Sequence, residues 1–270
     1  MIFSNTIRKV FNPSFIEDIQ SKIRPSKINV GKELKNISTV QRFTQGETNL
    51  ISNGFRFIDS ESFIYQYLEI FQKEILAFKT NSRQPRIIDC GANIGVSVFF
   101  FKQLYPDSVI SAFEPDPKIF EILKQNTKCL DAEGLTLYNS AVWNQKGTIA
   151  FQQNDSDGGK ICSKGNTLVK TEKISDFLNE KVDLLKIDIE GAEKVVLPSI
   201  EEKLSNVDKL FLELHIQHDD FKLLEDACSI LRRRNFRYKM ETVGNVSFQS
   251  FDQIDLFEMQ INIYAENEGS

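Results

Sequence analysis

The sequence predicts an α/β fold in which a mostly parallel sheet carries helices on both faces. From residue 85 onward, short apolar stretches alternate with segments of helical periodicity. Helices of about 10–15 residues separate most of these stretches, and strands joined by such crossovers run parallel. The last two stretches, FRYKMETV and FEMQINIYAE, have no helical segment between them, which predicts an antiparallel hairpin at one edge of the sheet.

The predicted elements after residue 85 follow from local signals. Pro106 ends the first helix, Pro117 opens the second, and Gly191 turns the chain after a charged strand. In chain order we predict a strand RIIDC, a helix NIGVSVFFFKQLY, a strand SVISAFEP, a helix PKIFEILKQNTKCL, a strand LTLYNSAVW, a hairpin-like GTIAF, a polar loop 154–166, a short helix ISDFLNEK, a strand VDLLKIDIEG, a helix AEKVVLPSIEEKL, a strand VDKLFLELHI and a helix DDFKLLEDACSILRRRN.

Before residue 85 the pattern is mainly helical. Residues 1–24 have helical spacing that ends at Pro25, FRFI (55–58) resembles a short strand, and residues 61–79 carry an apolar stripe typical of a core helix. With 22 phenylalanines and a single tryptophan, the core is expected to be rich in Phe.

Composition excludes several classes of protein. The net charge of −5 argues against nucleic acid as a partner, because phosphate binding requires a basic face. The four cysteines form no CxxC pair, so we expect a reducing cytoplasm rather than a disulfide framework or a zinc site. No stretch approaches the roughly 18 apolar residues of a transmembrane helix, and we expect no such segment.

The first charged strand end is DCGANIG (89–95). Gly91 suits a tight turn with a positive φ or a close approach of the backbone to a ligand, and Gly95 lets the next helix lie against the strand. Asn93 stands where a dinucleotide-binding turn needs its second glycine. Asp89 before the turn would repel a pyrophosphate but attract a ligand carrying an ammonium and a sulfonium. This favours S-adenosylmethionine over NAD.

The next two strand ends supply candidate contacts to a nucleoside. Glu114 lies 25 residues after Asp89 and could accept both ribose hydroxyls, as acidic residues at that position do. Pro115 stiffens the same turn and is counted with the cofactor-binding residues. Ser140 and the backbone of Ala141, at the end of the third strand, could bind an adenine edge.

Charged residues interrupt the two strands of the second half. In LLKIDIEGAE, the side-chain period of two places Lys186, Asp188 and Glu190 on one face, where Lys186 could neutralise either carboxylate. In LFLELHI, Glu213 and His215 share a face at the carboxyl end, where ligands bind in such sheets.

Methyl transfer from a sulfonium requires in-line positioning, and an alcohol acceptor also loses a proton. We therefore predict a catalytic group of Asp188, His215, Glu213 and Lys186, with His215, Asp188 or Glu213 as the base. Asp188 and Glu213 could hold a divalent cation through oxygen ligands, but no spacing requires one, and metal dependence stays open.

The chain resembles the FkbM family of S-adenosylmethionine-dependent methyltransferases. The resemblance covers roughly residues 55–240 and is carried by IIDCGANIGVSVFFFKQLYP, AFEPDPKIFEILKQN, NSAVWNQKGTIAF, DLLKIDIEGAE and LFLELH. It implies a class I methyltransferase fold, a three-layer Rossmann-like sandwich whose seven strands have the order 3-2-1-4-5-7-6. It also implies that cofactor contacts come from Asp89, Gly91, Asn93, Gly95 and Glu114, with Asp188 beside the transferred methyl.

The resemblance divides the chain into residues 1–55, an N-terminal cap or homodimer contact, and residues 56–270, the methyltransferase domain. It implies O-methylation of a sugar, glycan or secondary metabolite. One alternative is an NAD-binding oxidoreductase, which the missing middle glycine disfavours. The other is a non-catalytic nucleoside-binding module, which the intact run from Lys186 to Glu193 disfavours.

Overall fold

The computed structural model describes residues 28–130, 133–153, 159–162, 164–217, 221–243 and 258–269. The predicted helix at residues 1–24 lies outside these ranges. The described residues form two compact units. The first contains residues up to Pro85 together with Ala92–Asn139, and the second contains Arg86–Gly91 and most of the chain from Ser140 onward.

Apart from three strands that were not predicted (Gly46–Thr48, Lys160–Ile161 and Thr167–Lys173), the strands of the structure begin close to predicted positions. In chain order the strands are β1 (Gly46–Thr48), β2 (Phe55–Phe57), β3 (Arg86–Cys90), β4 (Val109–Phe113), β5 (Leu135–Tyr138), β6 (Ala141–Trp143), β7 (Gly147–Gln152), β8 (Lys160–Ile161), β9 (Thr167–Lys173), β10 (Leu184–Ile187), β11 (Lys209–Gln217), β12 (Phe236–Thr242) and β13 (Glu258–Asn267).

The α-helices begin at residues that cap or permit their first turn. They are α1 (Val30–Ile37), α2 (Ser60–Tyr67), α3 (Val96–Leu104), α4 (Pro117–Thr127), α5 (Glu193–Ser199) and α6 (Lys222–Arg233). The side chains of Asn29, Asp59 and Asp116 accept backbone hydrogen bonds at the starts of α1, α2 and α4. The predicted short helix ISDFLNEK is a single 3₁₀ turn, Ile174–Phe177.

The largest sheet has seven strands in the order β12-β13-β11-β10-β3-β4-β5. Counted from β3 as the first strand, with β6–β9 left out, this is the order 3-2-1-4-5-7-6 that the resemblance implies. β10 runs parallel to β3 and β11, and β4 runs parallel to β5. β13 is antiparallel to β11 and β12, which confirms the predicted hairpin at one edge.

A separate four-stranded sheet in the second unit was not predicted. Its order is β6-β9-β7-β8, and a small core of Ala141, Phe151 and Val169 lies on it. The prediction of one strand over LTLYNSAVW was wrong, because Asn139 and Ser140 end β5 before β6 begins. β5 and β6 consequently belong to different sheets.

Two predicted helices are shorter than their apolar pattern suggests. The helix expected over residues 61–79 ends as a π-helical turn at Leu68–Gln72, and Glu74 then takes a left-handed backbone with φ of 60°. The helix expected over AEKVVLPSIEEKL is α5 followed by a 3₁₀ segment, Glu201–Asn206. Apolar periodicity therefore continued past the point where each helix breaks.

Aromatic rings fill the core of the first unit. Phe55 contacts Phe63 and Phe99 with ring centroids 5.8 and 5.4 Å apart, and Tyr67 stacks on Phe71 at 5.4 Å. Such pairs contribute beyond their buried area. The core is rich in Phe, as the composition predicts. None of the helices in the described part of the chain has the length and apolarity needed to cross a bilayer.

Asp59 joins the loop before β1 to the start of α2. Its carboxylate is buried and accepts hydrogen bonds from the Phe43 and Ser62 amides, at 3.0 and 3.1 Å, and from the Arg42 guanidinium at 2.9 Å. Burial alone would raise the pKa of Asp59, but the Arg42 hydrogen bond and these amides together hold it well below its usual range.

We expect Asp59→Asn to lower the free energy of unfolding by about 2 kcal/mol at pH 7, because the substitution weakens charge-assisted hydrogen bonds. A depressed pKa stabilises the fold above the unfolded pKa of about 3.9 and loses that effect as pH falls below it. The difference between wild type and variant should therefore shrink in urea unfolding at pH 3.

Glu61→Gln is the matched control, since the Glu61 carboxylate also pairs with Arg42, at 3.1 Å, but is 66% exposed. It should cost less than about 0.5 kcal/mol at either pH. Equal losses for the two variants at pH 7 would contradict the role given to Asp59.

Candidate functional site

The turn after β3 depends on a glycine without a side chain. Gly91 has a φ of 85°, and a Cβ built on it would lie 1.9 Å from the carbonyl oxygen of Asp188. The sequence predicted a tight turn with a positive φ or a close approach of the backbone to a ligand at Gly91; the structure has the positive φ, and the close approach it has is to protein backbone. The backbone that approaches is that of the strand end after β10.

Asn93 and Glu114 are joined within the first unit. The Asn93 amide donates to Oε2 of Glu114 at 3.0 Å, and the Asp116 amide donates to Oε1 at 2.8 Å. Asn93 has a φ of 49°, a left-handed conformation that asparagine tolerates better than most residues. Glu114 is 6% exposed, so the protein backbone fixes this carboxylate before any ligand binds.

Asn139 supports the same strand end and was missed by the sequence analysis. Its Nδ2 donates to the carbonyl oxygens of Glu114, at 2.9 Å, and Pro115, at 3.2 Å. It directly precedes Ser140 in the motif NSAVW, so an amide side chain beside predicted ligand contacts was the available signal.

Gly95 does not pack as predicted. It caps α3 with a φ of 97°, and a Cβ built on it would lie 2.9 Å from Cδ1 of Leu123 in α4. The missing side chain therefore makes room for a neighbouring helix, whereas the sequence analysis expected it to let α3 lie against the preceding strand.

Ser140 and Ala141 lie at the start of β6 in the second unit. Ser140 is 3% exposed, and its Oγ has no hydrogen-bond partner among the described residues. A buried hydroxyl without a partner is costly, so this atom is suited to a ligand or water. Ala141 pairs with Thr171 of β9 through the backbone.

Lys186 is the centre of a buried ionic group in the second unit. Its Nζ lies 3.1 Å from Oδ1 of Asp89 and 3.4 Å from Oδ2 of Asp188, and it donates to the Gly91 carbonyl at 2.8 Å. Burial alone would lower the pKa of Lys186, but the carboxylates of Asp89 and Asp188 raise it above its ordinary value. Lys186 is therefore a cation that holds the turn. The predicted Lys186–Asp188 pair is present, and the Asp89 pair was not foreseen.

His215 lies among three carboxylates. Its Nε2 is 3.4 Å from Oε2 of Glu190 and 3.4 Å from Oε1 of Glu213, and its Nδ1 is 3.6 Å from Oε1 of Glu193. The His215 side chain is 3% exposed, while those of Glu190 and Glu213 are 32% and 18% exposed. The imidazole is thus buried, and two of its acidic neighbours reach solvent.

These surroundings shift both pKa values upward. Burial and the negative charge of Asp188 raise the pKa of Glu213 to about 8. Burial alone would lower the pKa of His215, but Glu193, Glu190 and Asp188 together raise it to about 10. At neutral pH His215 is a cation, so the structure disfavours it as the base that the sequence analysis listed beside Asp188 and Glu213.

Of the four predicted catalytic residues, the structure brings Asp188, Glu213 and His215 together. One nitrogen or oxygen ligand atom from each lies within 4.8 Å of the others. Lys186 contacts this group through Asp188. Glu190, which the sequence placed on one face with Lys186 and Asp188, contacts the group through His215, whereas Glu193 was not predicted as a member. The fully buried Glu193 accepts the Ile189 amide at 3.0 Å, and its place in KIDIEGAE was the only signal.

The strand order of the large sheet is that of the class I methyltransferases. The Methyltransferase FkbM domain matches residues 89–238, more than half of the 270-residue chain. The chain therefore belongs to the FkbM methyltransferase family, as its motifs indicated, and it is a methyltransferase.

Curated relatives carry methyltransferase names. Methyltransferase 1 of Beauveria bassiana is 26% identical over 64% of this chain and 83% of its own length. The 2-O-methyltransferase NoeI of Sinorhizobium fredii is 28% identical over 48% of this chain and 63% of its own length. The hexuronic acid methyltransferase AglP of Haloferax volcanii is 26% identical over 52% and 61%. The matches to NoeI and AglP therefore span less than two thirds of those proteins.

Gly91→Ala and Gly191→Ala form a matched pair of substitutions. Both glycines have a left-handed φ, 85° and 90°, but a Cβ at Gly191 meets nothing within 4 Å. We expect Gly191→Ala to cost about 1–2 kcal/mol of unfolding free energy from the backbone conformation alone. Gly91→Ala should cost about 1–3 kcal/mol more, because the methyl group collides with the Asp188 carbonyl.

Urea unfolding of the two variants measures this difference. If they are equally stable, Gly91 is not required for the approach of the Asp188 backbone.

Proposed function

We propose that this chain transfers the methyl group of S-adenosylmethionine to a hydroxyl group of a sugar, glycan or secondary metabolite. The observation that carries the proposal is the acidic group in the second unit, where the described residues bring five carboxylates around Lys186 and His215. Burying an excess of one charge is unfavourable unless a ligand of the opposite sign compensates it. S-adenosylmethionine carries a sulfonium and an ammonium.

The described residues fit this cofactor in three respects. The acidic group suits its positive charges, and the buried Ser140 hydroxyl lacks a hydrogen-bond partner among the described residues. In the first unit, the Asn93 and Asp116 amides hold the buried Glu114 carboxylate at the end of β4, the position from which an acidic residue accepts ribose hydroxyls. When bound, the cofactor supplies an electrophilic methyl group on a sulfonium that is ready to leave.

The residues around the acidic group have separable roles. Lys186 fixes the Gly91 carbonyl and is fully engaged, so we assign it to positioning rather than to chemistry. His215 is a buried cation that orients Glu190 and Glu213. Asp188 is 29% exposed and keeps one oxygen beyond its Lys186 contact, which makes it the candidate for contact with the reacting groups.

The raised pKa of Glu213 suits a different part of the reaction. A carboxyl with a pKa of about 8 exchanges protons near neutral pH, which is the requirement for accepting the proton of an acceptor hydroxyl. Two neighbouring carboxyls with different environments commonly divide such work. We therefore assign proton transfer to Glu213 and alignment of the methyl group to Asp188.

The class of acceptor comes from the relatives. The printed names of NoeI and AglP specify 2-O-methylation and a hexuronic acid, which support a hydroxylated carbohydrate-like acceptor for this chain. Membership in a methyltransferase family disfavours the NAD-binding and non-catalytic alternatives. A thermal-shift comparison should give stabilisation by S-adenosylmethionine and S-adenosylhomocysteine but not by NAD. Stabilisation by NAD alone would overturn the proposal.

Glu114→Ala should weaken S-adenosylmethionine binding by about 1.5–3 kcal/mol, or roughly 10- to 150-fold, because hydrogen bonds to a charged group are lost. Isothermal titration calorimetry measures this change. Glu121→Ala, on the exposed side of α4, is the control and should bind normally. Glu114→Gln retains the side-chain size and one acceptor oxygen. If neither Glu114 variant loses affinity, Glu114 does not bind the ribose.

Asp188→Asn should reduce methyl transfer at least about 100-fold while cofactor affinity stays within a few-fold. Lys186 retains its Asp89 partner in this variant, so the turn should persist. The assay follows label from S-adenosylmethionine into a panel of sugars and glycans, using whichever acceptor the wild type methylates. Asp176→Asn, which loses an exposed pair with Lys146, serves as the control. Turnover that survives Asp188→Asn would refute the assigned role.

A further inference from the structure

We propose that Asp188, Glu213 and His215 bind a divalent metal ion through the two carboxylates and Nε2 of the imidazole, with the protons that His215 and Glu213 carry in the free protein released as the ion binds. All three belong to the second unit, at the ends of β10 and β11, and their ligand atoms lie within 4.8 Å of one another. The sequence analysis left a metal open for Asp188 and Glu213 alone, and the imidazole supplies the third ligand.

The distances around His215 favour a shared ion over direct hydrogen bonds. Nε2 of His215 lies 3.4 Å from Oε1 of Glu213, whereas N–H···O hydrogen bonds are usually about 2.7–3.2 Å long. Two ligands at about 2.1 Å from one ion, separated by an angle of about 90–110°, are about 3.0–3.4 Å apart. The observed separation therefore suits two ligands of one metal.

The buried imidazole is a second observation, because its surroundings are those of a metal-binding histidine. The His215 side chain is 3% exposed, and its Nδ1 has no hydrogen-bond partner among the described residues. Oε1 of Glu193 lies 3.6 Å from that Nδ1, and Glu193 is itself fully buried. Metal-binding histidines commonly present their other nitrogen to a carboxylate, which orients the ring. Glu193 has the position of such a partner.

The site is also open on one side. Asp188 and Glu213 side chains are 29% and 18% exposed, so an ion can enter, and three protein ligands leave coordination positions for water or an acceptor. Lys186 faces Oδ2 of Asp188, and the carboxylate has a second oxygen for the metal. Two carboxylate oxygens and one imidazole nitrogen are harder ligands than thiolates. Such a ligand set suits ions such as Mn²⁺.

The role of the ion in the reaction rests on the proposed function. In methyl transfer, the ion would hold the acceptor hydroxyl beside Asp188. This narrows the acceptor to molecules with hydroxyl oxygens that can coordinate a metal, of which vicinal diols of sugars are the simplest. The metal site itself does not depend on methyl transfer, because binding of the ion can be measured without cofactor or acceptor.

The test is titration of the metal-free 270-residue chain with Mn²⁺. Electron paramagnetic resonance measures the concentration of free Mn²⁺ at each step of the titration. Wild type should bind one Mn²⁺ per chain. Asp188→Asn, Glu213→Gln and His215→Gln should each weaken binding at least about tenfold. Asp176→Asn removes one carboxylate from the same unit, on an exposed 3₁₀ turn, and should bind Mn²⁺ like the wild type.

Circular dichroism of each variant establishes that it is folded, and Glu213→Gln is the decisive variant because it keeps the side-chain size. No Mn²⁺ binding by the wild type, or unchanged binding by folded Glu213→Gln, would overturn the site. Titration with S-adenosylmethionine in a chelator separates the two proposals. If the cofactor binds but Mn²⁺ does not, only the metal site is refuted, and the reverse result refutes only the proposed cofactor.

Discussion

The second unit depends on one buried ammonium group. Burying Lys186 would cost several kcal/mol, and the carboxylates of Asp89 and Asp188 together with the Gly91 carbonyl offset that cost. The same Nζ thereby connects the end of β3 to the end of β10. Because Gly91 has no side chain, the Asp188 carbonyl can approach the turn. The electrostatic contact and the steric allowance therefore act at the same place, between the ends of β3 and β10.

A consequence of this arrangement is the charge around His215. Lys186 is engaged with Asp89 and Asp188, and its positive charge offsets only part of the rise in the pKa of Glu213. Glu193, Glu190 and Asp188 raise the pKa of His215 to about 10, and burial together with Asp188 raises that of Glu213 to about 8. The protein thus retains negative charge in a partly buried place. That condition attracts a cation, whether it is a sulfonium, a metal ion or a proton.

The sequence predicted the large sheet and most of the charged group around Lys186 and His215, because both follow from short-range rules. Alternation with a period of two placed Glu213 and His215 on one face, and β11 extends through both. The same rule also placed Glu190 on the face of Asp188, as if the strand continued to it. In the structure Glu190 does lie in this group, but β10 ends at Ile187 and Glu190 lies in a turn with a φ of 55°. Partners such as Asn139 and Glu193 depend on which distant atoms a side chain meets. The sheet of β6 to β9 was missed because its polar, glycine-bearing segment resembles a loop.

The turn and the helix start encoded by the motif KIDIEGAE (186–193) are structurally connected. Glu190 has a left-handed backbone, which costs a non-glycine residue free energy and therefore suggests a function for its side chain. Gly191, with a φ of 90°, completes the reversal without that cost. Glu193 then opens α5 and accepts the Ile189 amide, so the helix start fixes the turn that precedes it. The strained residue and the helix start direct two carboxylates toward opposite nitrogens of His215. Because the strained residue is one of those that contact His215, we attribute the strain to the need to hold this imidazole.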